Sequence, residues 1–128
     1  MPGFVLAAML FVATPPVKVT HASQGENAKP TCVVPADTVP PKMKKHPVVD
    51  YTRIPSRELR HVEARVFLAD LFISKEGRVT AIHVLQSPTP AFEKLYLEGL
   101  KTATFTPGKR HGKAVESCMT MTMWAEVR

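Results

Sequence analysis

Val66-Phe67-Leu68-Ala69-Asp70-Leu71-Phe72-Ile73-Ser74-Lys75-Glu76-Gly77-Arg78-Val79-Thr80-Ala81-Ile82-His83-Val84-Leu85 is the stretch on which the fold turns. Phe67, Ala69, Leu71 and Ile73 recur at every second residue, the spacing that places side chains on one face of a strand. Beyond Gly77 a second apolar run carries Val79, Ala81, Ile82, Val84 and Leu85. Two such runs joined by Ser74-Lys75-Glu76-Gly77 predict a β-hairpin, with glycine supplying the turn. An isolated hairpin is marginal in water, so its apolar face needs a cover.

The cover is predicted on the C-terminal side. Gln86-Ser87-Pro88-Thr89-Pro90 breaks the second strand, and Phe92, Leu95, Tyr96, Gly99 and Ala103 then follow helical spacing as one apolar stripe. Glu93, Lys94, Glu98 and Lys101 take the wet side. Phe105-Thr106-Pro107-Gly108 ends that helix, and Lys109 to Lys113 reads as a polar loop. The last run alternates, with Val115, Ser117, Met119, Met121, Met123, Ala125 and Val127 on one face. Glu116, Cys118, Thr120, Thr122, Trp124 and Glu126 occupy the other. Upstream of the hairpin, Pro55 followed by Ser56 and Glu58 predicts a short helix over residues 56–63, with Leu59 and Val62 toward the sheet. The expected architecture is therefore α+β: a small three-stranded antiparallel sheet packed against two helices, in the order α-β-β-α-β.

The domain reached by this pattern is residues 52–128. Before it, residues 23–51 hold Pro30, Pro35, Pro40, Pro41 and Pro47, a density that forbids a helix and reads as a Pro-rich linker with short extended pieces. Residues 1–22 contain the apolar run Phe4 to Ala13 and then Thr20-His21-Ala22. The run is short for a membrane span, which needs about 20 apolar residues, and suits a secretory signal peptide. A short uncleaved N-terminal anchor is the alternative. Either way the expectation is an exported protein. Two cysteines, Cys32 and Cys118, make a disulfide candidate in an oxidising compartment, against the alternative of two separate thiols.

The formal net charge is +6. A basic chain can be drawn to nucleic acid, anionic lipid or acidic polymers. No aromatic pair at strand spacing and no recognition module accompanies the charge, so no nucleic-acid partner is expected. His21, His46, His61, His83 and His111 are scattered, and none has ligand spacing such as HExxH. Thioethers are soft metal ligands, yet the methionine stripe faces the covering helix and reads as core. No nucleophile stands beside a base, and no glycine-rich phosphate loop opens a helix. The chain is expected to be no enzyme and to carry no cofactor or metal.

Several local words then matter together: Arg53-Ile54-Pro55-Ser56-Arg57, Phe67 to Ile73, Glu76-Gly77-Arg78-Val79, Leu85-Gln86-Ser87-Pro88, Ala91-Phe92-Glu93, and Thr104-Phe105-Thr106-Pro107-Gly108-Lys109. In order and spacing, across about residues 53–127, they resemble the C-terminal domain of TonB, the periplasmic energy transducer. Arg65 stands where that family usually has glycine, and Ala103 where a tryptophan is common. The resemblance implies a periplasmic protein-binding module of the cell envelope, exported or anchored in the inner membrane, that serves transmembrane transport. Its last strand would pair with an extended peptide of an outer-membrane receptor, by β-augmentation. Ser117, Thr120, Thr122, Trp124 and Glu126 are the partner-binding candidates, and the same edge could form a homodimer. The alternative is a secreted structural or envelope protein that keeps the fold without energy transduction.

Overall fold

The structure, a computed structural model, describes residues 16–22, 30–46, 49–55, 57 and 66–124. The hairpin is present as β4 (Val66–Ile73) and β5 (Val79–Gln86), paired antiparallel. Its turn closes through Ser74 N–H to the Arg78 carbonyl at 2.8 Å and Gly77 N–H to the Ser74 carbonyl at 3.0 Å. Gly77 has φ +81°, and a Cβ there would lie 2.0 Å from the Phe105 carbonyl oxygen. Only glycine meets both demands, the left-handed backbone and the close approach.

Strand β5 departs from simple alternation because the ladder carries two register shifts, between Leu68 and Ala69 and between Phe72 and Ile73. Each leaves one residue of β5 without a direct partner, Leu85 and Thr80. That is how Val79, Ile82 and Val84 all reach the core, although Val79 and Ile82 stand three apart.

Helix α1 (Pro90–Thr102) begins at Thr89, whose hydroxyl accepts from the Phe92 N–H, with Pro90 in the first turn where its missing donor costs nothing. It buries Phe92, Leu95, Tyr96, Gly99 and Leu100. Opposite them stand Phe67, Ala69, Leu71 and Ile73, all at most 1% exposed. The rings of Phe67 and Tyr96 sit 5.0 Å apart, a favourable tilted pair. Each fully buried large side chain here contributes roughly 1.5–3 kcal/mol. This layer is the core.

The remainder overturns the expected α+β arrangement of two helices on a three-stranded antiparallel sheet. Strand accounts for 48% of the described residues and helix for 18%, so the class is mostly β. Among the described residues nine strands form three sheets, and apart from the single helical residue Arg57 the α-helix is α1 alone. The first sheet has the order β1-β5-β4-β9, with β9 (Ser117–Trp124) antiparallel to β4 over its whole length. Strand β1 (Lys18–His21) adds a fourth, parallel member against β5. It is tied down by Ala22 N–H to the Val84 carbonyl, by Thr20 to His83 at 2.8 Å, and by His21 to Glu93 on α1.

The other two sheets form between the Pro-rich segment and the chain after α1. Strands β2 (Thr38–Val39) and β3 (Lys42–Lys45) run antiparallel to β7 (Gly108–Arg110) and β6 (Thr104–Thr106) respectively. β7 continues into β8 (Lys113–Val115) through His111 and Gly112, with φ of 51° and 77°. Two consecutive positive φ values make a tight hairpin turn of the primed kind. The stretch expected as a polar loop is therefore mostly strand. It reads as loop because an exposed two-stranded ribbon has no buried face to impose alternation. The helix expected over 56–63, with Leu59 and Val62, lies outside the described residues apart from Arg57.

Candidate protein-binding edge

Strand β9 closes one side of the main sheet, and among the described residues no strand pairs with its outer edge. Its two faces differ. Met119, Met121 and Met123 are half-buried against the core cluster. Cys118, Thr120 and Thr122 point to the face away from α1, because side chains alternate along a strand.

That second face is partly covered by the Pro-rich arm. Cys32 and Cys118 form a disulfide, with Cα atoms 5.7 Å apart and 86 residues of separation. Beside it Asp70 is fully buried. Thr31 donates to its Oδ2 from both N–H, at 2.6 Å, and hydroxyl, at 2.9 Å, and Thr120 donates to its Oδ1 at 2.7 Å. Burial raises the Asp70 carboxyl, but the Thr120 hydroxyl, both Thr31 donors and the Cys32 N–H outweigh it and hold the group below the usual carboxylate range. The charge is thus retained under the arm and serves as a clamp. Asp70 links three segments, the arm, β4 and β9.

Between arm and sheet lies an open cleft of ≈ 370 Å³, walled mainly by Val33, Val34, Pro35, Phe72, Val115 and Cys118. Arg110 and Thr38 also border it. Arg110 is held at 2.8 Å by Asp37, which also faces His111 at 3.7 Å.

The partner-binding candidates do not form one set. Ser117 is half-buried, and its Oγ accepts from the Gly108 N–H at 3.1 Å, which ties β9 to β7. Thr120 is engaged by Asp70. Thr122 is exposed and pairs with Leu68. Trp124 ends β9 opposite Val66, and Glu126 lies outside the described residues. Sequence reasoning passed over Asp70, although one signal for it exists. It is the single charged residue in the run Val66–Ile73 and occupies the non-core phase of the alternation.

Among the described residues no group of three or more histidines, cysteines or acids is placed to hold a metal, and no described helix is long and apolar enough to cross a membrane. What fold and edge define is a mostly β domain with a covalently clasped arm and one long edge strand whose outer side has no ladder partner among the described residues. No protein-family model matches the chain, and no curated protein matches it.

Proposed function

We propose that this chain is a periplasmic protein-binding module, similar in role to the TonB C-terminal domain, that pairs β9 with an extended peptide of an outer-membrane receptor. The observation that carries the reading is an eight-residue edge strand whose outer ladder has no partner among the described residues. Its backbone groups would supply affinity, and its alternate side chains would supply choice. The strand is also stiffened in advance, by β4 along its length, by Cys32 and by Asp70, so pairing costs less ordering entropy. A homodimer through the same edge would compete with the peptide.

The test is an NMR titration of the oxidised full chain with extended receptor-derived peptides. Binding shifts the amides of residues 117–124 and slows their hydrogen exchange. Unshifted amides throughout β9 at millimolar peptide end the proposal. A second reading, a secreted envelope protein that keeps the fold without energy transduction, is favoured by the arm disulfide, which braces the domain whether or not a partner exists. It requires that no peptide bind.

A further inference from the structure

A second surface goes beyond the β9 reading and does not depend on it. Strand β3 pairs with β6 through Lys42 opposite Thr106 and Lys45 opposite Thr104, with a register shift between Met43 and Lys45. The shift sets Lys44 as the extra residue beside Lys45, so both stand across from Thr104. On its other side Thr104 bridges to Arg78, the residue just before β5. Directly opposed residues on neighbouring strands share a face, with Cβ atoms about 4.5–5.5 Å apart. Lys42, Lys44, Lys45, Arg78 and Thr104 are all exposed, while Met43 and Phe105 turn inward to the core. Three segments far apart in sequence thus converge on one basic platform floored by threonine hydroxyls. Among the described residues none of these four cations has an ion-pair partner.

The platform's partner follows from shape and neighbours. The four cations and Thr104 face solvent, and the described cleft opens elsewhere, against the second face of the main sheet. A flat array of cations fits an extended anionic surface better than a single small anion. Of the exposed large hydrophobics, Val39 stands three residues before Lys42, whereas Val33 and Val34 wall the cleft. An exposed valine so near a basic strip suits a lipid interface, where apolar and cationic groups each have a favourable medium. For nucleic acid the strip offers no aromatic ring on which a base could stack.

We propose that the β3–β6 platform, with Lys42, Lys44, Lys45 and Arg78, docks the domain onto an anionic phospholipid surface. Phospholipid headgroups engage the ammonium and guanidinium groups, and Val39 rests at the headgroup boundary. Binding is therefore steeply salt-dependent.

Flotation of the full chain with phosphatidylglycerol-containing vesicles, set against pure phosphatidylcholine vesicles, tests this. The readout is the ratio of the two affinities, because the apolar run Phe4 to Ala13 would bind either vesicle alike. The native chain favours anionic vesicles, and each of K42Q, K44Q, K45Q and R78Q lowers that preference about fivefold. The charge-reversed K42E/K44E/K45E chain, checked for folding by circular dichroism, loses it. Equal affinity for both vesicles, or an unchanged ratio in the glutamine variants, overturns the proposal. Full competition by millimolar inorganic phosphate would show a single-anion site instead, and tighter binding to an oligonucleotide at the same salt would show a general polyanion surface. Either also overturns it. The β9 peptide titration is unaffected by every one of these outcomes.

Discussion

At the scale of single residues, Asp70 and Gly77 do work that no neighbour can replace. Ionised Asp70 is acceptor-only, and its partners all donate, two groups of Thr31 and the Thr120 hydroxyl. Asn in its place turns two donors toward donors, so D70N should cost about 2–3 kcal/mol at pH 7. The lowered carboxyl fixes the pH dependence. Its contribution is present above the unfolded carboxylate value of about 3.9 and is lost as pH falls through the lower native value. The stability gap between native chain and D70N, measured by urea unfolding, should therefore close below about pH 4. A gap that stays constant from pH 7 to pH 3 would contradict the clamp. Gly77 is held by geometry. A side chain there needs a left-handed backbone, at about 1–3 kcal/mol, and must also displace the Phe105 carbonyl. G77A should fall well below G112A in thermal unfolding, since a Cβ at Gly112 meets nothing within 4 Å.

Among the elements, β1 has the largest consequence. It lies inside the segment expected as a leader, and cleavage after Ala22 would take it away whole. The sheet would then begin at β5, and Val17 and Val19 would leave the core they half-cover. A chain starting at Ser23 should unfold about 2–3 kcal/mol earlier than one keeping β1, from the apolar area those valines cover and the lost ladder. Comparing urea midpoints of the two chains measures this; equal midpoints would mean that β1 adds nothing to the fold. The elements also show where sequence reading works. The hairpin, the stripe of α1 and the alternation of the final strand were legible because each buries one face, and burial imposes a period. The ribbons β2–β7–β8 and β3–β6 were not, since Lys109, Arg110 and Lys113 are exposed and no apolar period marks them. Prolines further disguised β2 and β3, which lie at either end of Pro40-Pro41 and pair on one side only. His111-Gly112 was the remaining clue, a residue pair that tolerates two positive φ values. The disulfide could be raised from two cysteines and the compartment they suited, but Asp70 as its companion required seeing β4 and the arm together.

For the whole molecule, the arm decides how firmly the second face of the sheet is held. Joining Cys32 to Cys118 closes a loop of 86 residues' separation, which in the chain-entropy model stabilises by about 4–5 kcal/mol. That is a large share of the 5–15 kcal/mol typical of a domain, so reduction should lower the unfolding midpoint steeply. Thr31, the residue that clamps Asp70, is the neighbour of Cys32, and therefore the two restraints cannot act independently. Once the disulfide is gone the arm is free to leave, and Asp70 loses its Thr31 donors with or without mutation. D70N should then cost less in the C32S/C118S chain than in the oxidised one, by about 1–2 kcal/mol in a double-mutant cycle. Denaturant midpoints of the four chains give that coupling. Because the doubly serine-substituted chain could be too weak to measure alone, the same cycle is run with and without reductant on native and D70N protein. Costs that add to within about 0.5 kcal/mol would show that disulfide and carboxylate brace separate parts of the fold. A coupling of the expected size would make the arm one cooperative unit with β4 and β9, holding rigid the strand on which peptide pairing is proposed.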